Sequence, residues 1–153
     1  MLATGLGVTS GWLVWAPAAP GLPKLATQVL VEEAVATYAV YAPDEQHPVE
    51  MSAADEARLT RWLSERLSRT VTPPDLSKFG YTLLGGRLLA TERGGAAAML
   101  MYSNSQGTRI SLLLRPMIPS LTVSDRYLAQ GPLQLCVWIE KGIGSTGCIH
   151  AEN

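Results

Sequence analysis

The chain has 153 residues, which is enough for one domain with its own core and a short additional segment. Charged residues make up only 16% of it, where about 25% is usual for a soluble domain, and hydrophobic residues make up 47%. The formal net charge of −1 excludes a global positive field of the kind that holds nucleic acid. We therefore expect no nucleic-acid partner.

The apolar excess is concentrated at the N-terminus, because no charged residue occurs from Met1 to Pro23. Its apolar part, Leu2 to Ala19, has the length of a minimal membrane span, which needs roughly 17–25 residues. Trp12 and Trp15 lie near the end where the prolines begin, at the level where an aromatic belt would meet lipid headgroups. The sequence thus predicts a membrane-type segment and Pro-rich linker over residues 1–23, which contacts the membrane through residues 1–19.

Two other interpretations of this segment stay open. A cleaved signal peptide would fit the small residues Ala16-Pro17-Ala18, although no positive region precedes the apolar run and a proline lies within the cleavage site. A buried core helix would also explain the run. Because no basic flank is present, the loop-charge rule sets no orientation for a span.

Two helices are predicted after the linker. The first spans Lys24 to Ala42, with Glu32 and Glu33 facing solvent. Its apolar side is predicted to consist of Leu25, Val29, Ala36 and residues 38–41. The second is opened by a capping-box variant, in which Ser52 caps and Asp55 reaches back, and it ends near Leu67. Its spacing predicts one buried stripe, formed by Leu59, Trp62, Leu63 and Leu67.

Strands are predicted after Gly80. Tyr81 to Ala90 contains Gly85-Gly86, which indicates either a turn between two short strands or a bulge in one. The next elements are an apolar strand, a turn and a returning strand, at Ala96–Tyr102, Asn104–Gly107 and Arg109–Arg115. A short strand around Arg126–Ala129 and a hairpin of Leu133–Glu140 with Gly147–Ala151 follow. The fold class is α+β, with two helices and an antiparallel sheet of about five strands in a domain over residues 24–153.

Residues capable of chemistry are few. Gly142 to Gly147 matches G-x-G-x-x-G, but the chain ends six residues later, so we expect hairpin glycines rather than a nucleotide site. His47 lies among carboxylates and His150 lies two residues from Cys148, yet neither has a second ligand or an orienting group adjacent in sequence. We expect no catalytic, metal or cofactor site, and a small hydrolase using His47 or His150 is the alternative. Cys136 and Cys148 either form a disulfide or are two buried small residues.

One set of motifs between Tyr41 and Tyr102 is more specific than composition. In chain order it comprises Tyr41, His47-Pro48-Val49-Glu50, Trp62-Leu63-Ser64, Arg66-Leu67, Pro74-Asp75-Leu76, Gly80, Leu83 to Leu89, Ala97-Ala98 and Met101-Tyr102. This combination resembles the extracytoplasmic region of proteobacterial transmembrane anti-sigma factors, which are membrane-bound transcriptional regulators. Such proteins join a short cytoplasmic sigma-binding domain, one membrane helix and a periplasmic domain of this size.

The resemblance implies a non-enzymatic, membrane-tethered sensory domain that faces the periplasm from the bacterial inner membrane. Its expected protein partner belongs to the sigma-regulatory or proteolytic machinery. A secreted or periplasmic binding module with a cleaved signal is the alternative. No sigma-binding domain precedes Met1, so we expect a fragment or a truncated product. The motif positions implied to be structural or partner-binding are His47, Pro48, Val49, Glu50, Trp62, Leu63, Gly85, Gly86, Arg87 and Tyr102, and Arg87 could pair with Glu50.

Overall fold

The computed structural model describes residues 21–151, so the predicted membrane-type segment lies almost entirely outside the described residues. Two α-helices and seven strands make up the fold, with short 3-10 turns at Ala53–Asp55 and Ser77–Phe79. The helices are α1 (Leu22–Tyr41) and α2 (Glu56–Leu67). The strands are β1 (Met51–Ser52), β2 (Thr82–Ala90), β3 (Ala96–Ser103), β4 (Arg109–Pro116), β5 (Val123–Gln130), β6 (Leu133–Glu140) and β7 (Ile143–His150). No helix within residues 21–151 is long and apolar enough to cross a membrane.

All seven strands belong to one antiparallel sheet in the order β1-β2-β3-β4-β7-β6-β5. The predicted α+β class and antiparallel sheet are confirmed, while the predicted number of about five strands is too low. β3 lies near the centre of the sheet and is buried on both faces, so Ala97 to Tyr102 form an unbroken buried run rather than an alternating one. β5 is an edge strand, and only Val123 of its residues is buried.

The two helices lie on opposite faces of the sheet. α1 packs against β4, β6 and β7, and α2 packs mainly against β2 and β3. The alternation of side chains along β4 separates the two layers, because neighbouring residues of a strand point to opposite faces. Leu113 packs in the cluster that contains Tyr38 of α1, whereas Leu112 and Leu114 pack in the cluster that contains Leu63 of α2.

The predicted apolar side of α1 is confirmed at Tyr38, but the rest of the buried face is rotated about the helix axis from the predicted one. The buried positions recur every four residues and are Ala26, Leu30, Ala34 and Tyr38. Val40 is 61% exposed, and Leu25 and Ala36 are also exposed. Apolar residues occur around most of this helix, so their spacing alone does not select one face. The small residues Ala26 and Ala34 let the helix lie close to the sheet.

Glu33, which was predicted to face solvent, is instead partly buried and forms an ion pair with Arg115 of β4. α1 also begins earlier than predicted. Its first residue is Leu22, which lies within the predicted Pro-rich linker. Pro23 lies in its first turn, where the missing backbone N–H costs no helical hydrogen bond.

The buried stripe of α2 is confirmed at Leu59, Leu63 and Leu67, while Trp62 is half-buried at its border. The predicted capping box differs from the observed caps. The Ser52 hydroxyl accepts a hydrogen bond from Ala54 N, and this caps the 3-10 turn. The Asp55 carboxylate does not reach back to Ser52 but accepts from Arg58 N at 3.0 Å. Asp55 is therefore the N-cap of α2.

The Gly85-Gly86 pair is a bulge within one strand, which confirms the second of its two predicted interpretations. The register of β2 against β3 shifts between Leu83 and Gly85. Gly85 has φ +152°, and a Cβ at this position would stand 2.1 Å from the Met51 carbonyl oxygen. Only glycine lets β1 approach β2 at this point.

β7 starts four residues earlier than predicted, and β5 extends beyond the predicted 126–129. The glycines of Gly142–Gly147 fall in the β6–β7 turn and in β7 itself, so the expectation of hairpin glycines is confirmed. Glycine has low strand propensity, which explains the shorter prediction. Pairing with β4 on one side and β6 on the other overrides that propensity.

Two glycines of β7 provide a matched test of which face α1 covers. A Cβ at Gly144 would lie 2.6 Å from Leu30 Cδ1 and 3.0 Å from Met117 Cγ, whereas a Cβ at Gly147 would meet only the Cys136 carbonyl oxygen, at 4.0 Å. We expect Gly144→Ala to lower the free energy of unfolding by about 1–3 kcal/mol through overpacking, and Gly147→Ala to change it by less than about 1 kcal/mol. Urea denaturation measures both, and equal effects would contradict the assigned faces.

The two cysteines lie on neighbouring strands but on opposite faces of the sheet. Cys148 pairs with Leu135, whose side chain is in the cluster under α1, and Cys136 follows Leu135 on the other face. Both thiols are free. Of the two alternatives, the disulfide does not occur in this fold, and two buried small residues is correct for Cys148 alone, because Cys136 is only partly buried.

Thiol reactivity checks this arrangement. Burial raises the pKa of the Cys148 thiol to about 11, so only on the order of one in a thousand of these groups is ionised at pH 8. We expect Ellman's reagent to modify Cys136 in the native chain and Cys148 only after unfolding, with Cys136→Ser abolishing the native reaction. Fast native modification of Cys148, or an intramolecular disulfide in non-reducing peptide mapping, would contradict it.

Candidate functional site

The predicted site residues 47–50 and 85–87 lie together, where the loop after α1 crosses the β1–β2 edge. Arg87 Nη2 donates to the His47 carbonyl oxygen at 2.8 Å, and the Arg87 guanidinium lies 3.8 Å from the centre of the Tyr41 ring. The Glu50 carboxylate accepts from Leu88 N at 3.2 Å. Arg87 and Glu50 each bind backbone and do not form the ion pair considered above. This cluster fixes the loop on the sheet.

The remaining motif residues lie at the contact between α2 and the sheet, with Trp62 and Leu63 on the helix and Tyr102 beneath it. Leu63 packs over Gly86, where a Cβ would come within 3.2 Å of Leu63 Cδ1. Tyr102 is buried in the same cluster, and its hydroxyl donates to the Pro74 carbonyl oxygen at 2.9 Å. Burial raises the pKa of the Tyr102 hydroxyl, so it remains a donor at physiological pH. These contacts give the motif residues a structural role, and one of them supports the groove described next.

An open groove of about 680 Å³ lies beside α2 on the same face of the sheet, and we call it the open-face groove. Its wall is the chain from Ser68 to Pro74, and Glu140 and Lys141 close one end. Its floor is formed by β4, β6 and β7 through Leu112, Leu114, Trp138, Ile143 and Ser145. Because α2 packs mainly on β2 and β3, this part of the floor remains uncovered.

The floor of the groove is apolar, with one aromatic side chain presented at its surface. Leu112, Leu114 and Ser145 are buried, and Trp138 is half-buried. Trp138 pairs with Ser145 across β6–β7, and Ser145 pairs with Leu114 across β7–β4, so the three lie in one row. Trp138 packs against the cluster beneath α2 and stays partly exposed, and a large amphipathic ring that remains accessible at a surface is typical of a binding anchor.

The wall of the groove is fixed by hydrogen bonds to buried neighbours. Val71 is buried, and its N–H donates to the Ser64 hydroxyl at 2.9 Å. The Tyr102 hydroxyl holds Pro74 at the far end of the wall. A wall held at two points is pre-organised, so a ligand would not have to order it on binding.

The end of the groove is weakly positive. Arg69 lies across the β6–β7 turn, with its Nε 3.0 Å from where a Cβ on Gly142 would stand. Lys141 lies in the same turn. Glu140 is the one carboxylate in the lining, so two cations face one anion at this end. The groove can therefore hold an apolar group over Trp138 and an acidic group near the turn.

Sequence reasoning missed the groove. It gave Arg69 no role, and it gave Trp138 none beyond its strand. The available signal was the strand Leu133 to Glu140, in which Cys136 and Trp138 are apolar on the face opposite the buried leucine and valine positions. A strand with apolar residues on both faces needs other elements packed against both faces. The sequence does not show that the packing on one face of β6 is incomplete.

The two histidines lie in different elements, His47 in the loop after α1 and His150 at the end of β7. His47 is exposed, and its carbonyl is the atom that Arg87 contacts. The His150 ring Nδ1 lies 3.0 Å from the Ala151 carbonyl oxygen. No group of three or more His, Cys, Asp and Glu side chains that could hold a metal occurs between residues 21 and 151.

No family model, no curated protein and no solved structure matches the chain.

The hydroxyl of Tyr102 can be tested as a support of the groove wall. We expect Tyr102→Phe to lower the free energy of unfolding by about 0.5–1.5 kcal/mol, since it leaves the Pro74 carbonyl without this donor. It should also speed amide hydrogen exchange across residues 68–72, the part of the wall that has backbone N–H groups. Tyr127→Phe is the matched control, because Tyr127 is 80% exposed and should change neither quantity measurably. Unchanged exchange in Tyr102→Phe would show that the wall is held without it.

Proposed function

We propose that this chain is the membrane-tethered, non-enzymatic regulatory domain of an anti-sigma-factor-type transcriptional regulator, and that the open-face groove binds its protein partner. The observation that carries the binding role is Trp138, partly exposed on an apolar floor beside a wall fixed at two points. The motifs between Tyr41 and Tyr102 support the class of regulator. The domain would face the periplasm from the bacterial inner membrane, tethered through residues 1–19.

The shape of the groove favours an extended peptide segment of the partner. Its volume of about 680 Å³ lies within the range of about 300–1,000 Å³ that is typical of ligand sites. An apolar or aromatic side chain of the partner would pack on Trp138, and an acidic side chain would face Arg69 and Lys141. Apolar burial would supply most of the affinity, and the two cations would fix the direction of the peptide.

The mechanism of regulation follows from the proposed location of the domain on the periplasmic side of the membrane. A partner in the groove on the periplasmic side would control release of a sigma factor on the cytoplasmic side, through signal-dependent interaction or proteolysis. The domain needs no chemistry of its own for this role. It needs a pre-organised surface and a connection to the membrane.

Selection of displayed random peptides on the immobilised full chain tests the binding role. We expect enriched peptides that combine an aromatic or large aliphatic residue with an acidic one. Trp138→Glu should weaken their binding at least tenfold, because it places a charge on the apolar floor. Phe79→Glu is the matched control, since Phe79 is 75% exposed outside the groove and should leave binding unchanged. Both variants are first shown to keep the melting temperature within a few degrees.

Failure to enrich any sequence class, or equal binding by the two variants, would reject the groove as the partner site. The tether is tested separately by cell fractionation with N-terminal sequencing. Full-length chain in the inner membrane supports the regulator, whereas a soluble product that starts near Ala19 would identify the secreted binding module instead.

A further inference from the structure

A second groove lies on the opposite face of the sheet, beside the C-terminal half of α1, and we call it the α1-end groove. Its volume is about 720 Å³. Val35 and Ala39 of α1 and Ala42, which follows it, line the groove together with Pro132 of the β5–β6 turn and Leu133 at the start of β6. Leu133 belongs to the buried cluster under α1, so the floor of the groove continues the core.

The lining of this groove differs in charge from the linings of the other grooves. Arg109 and His150 contribute to it, and no Asp or Glu among residues 21–151 lines it. Each of four other grooves within residues 21–151 includes at least one carboxylate. An apolar groove with a cation and without a carboxylate is complementary to an anion that carries an apolar body.

The guanidinium of Arg109 is held in place at this groove. Its Nη1 donates to the carbonyl oxygens of Ala42 and Asp44, and its own carbonyl oxygen accepts from the Tyr38 hydroxyl at 3.1 Å. The C-terminal carbonyls of α1 carry partial negative charge, which Arg109 offsets. A guanidinium has five N–H donors in a planar fork that matches a carboxylate, and these contacts use only Nη1.

We propose that the α1-end groove binds a single-chain amphipathic carboxylate. Its alkyl chain would lie against Val35, Ala39 and Leu133, and its carboxylate would face Arg109. The proposal goes beyond the regulatory function and does not depend on it, because the two grooves lie on opposite faces and share no lining residue.

Photolabelling of the full chain with decanoate that carries a terminal diazirine tests this site. The probe should label peptides from the C-terminal half of α1 or from the β5–β6 turn, as located by mass spectrometry, and excess decanoate should compete. Ala39→Trp should lower this labelling at least fivefold, because the indole would occupy the groove. Ala57→Trp, at an exposed position of α2 outside the groove, should leave it unchanged.

The matched cationic probe, a decylamine with the same diazirine, separates charge recognition from simple partition. It should label the groove at least fivefold less than the carboxylate does, and this comparison uses the unaltered chain. Equal labelling by the two probes would overturn the proposal, and so would labelling by the carboxylate that Ala39→Trp does not reduce. The peptide-display experiment is independent of both results.

Discussion

The number of strands that one helix can cover is the constraint on which the rest of this structure depends. A helix with its side chains is about 10 Å wide, and strands are about 4.8 Å apart, so one helix covers about two or three neighbouring strands, as α1 covers β4, β7 and β6. The sheet has seven strands and one helix on each face. α2, with 12 residues, packs on β2 and β3, and the half of that face formed by β4, β7 and β6 depends on the Ser68–Pro74 chain for cover. The open-face groove is a direct consequence.

The two faces are held together by different interactions. Beneath α2 the contacts are mainly apolar, and the Tyr102 hydroxyl adds one buried hydrogen bond. Beneath α1 apolar packing is combined with polar contacts at the sheet. Tyr38 donates to the Arg109 carbonyl and accepts from His150 N, and so it joins the helix to β4 and β7 at once. The Glu33–Arg115 ion pair fixes the middle of the helix on β4. Such contacts specify the position of α1 more than they stabilise it.

Sequence reasoning predicted the parts of the fold that local patterns determine. The buried stripe of α2 could be predicted because its leucines recur at helical spacing among charged residues. The hairpins could be predicted because turn residues lie between apolar runs. The buried face of α1 could not be predicted from hydrophobicity. Its buried residues Ala26 and Ala34 are small, and the larger apolar residues Leu25 and Val40 are exposed. β7 was predicted too short because its pairing with β4 is a long-range contact. The grooves escaped prediction for the same reason: each is bounded by segments far apart in sequence.

The proposed ligand would act on the helix that follows the predicted tether. A carboxylate in the α1-end groove would contact both α1 and the β5–β6 turn, so it would bind only while α1 is packed on the sheet. A ligand that binds the packed state alone stabilises it by about 2.7 kcal/mol at a concentration one hundred times its dissociation constant. Packing of α1 would then depend on ligand concentration without any change at the open-face groove. This coupling would link a small molecule to the predicted tether, and α1, which begins at Leu22, is the element that would carry it.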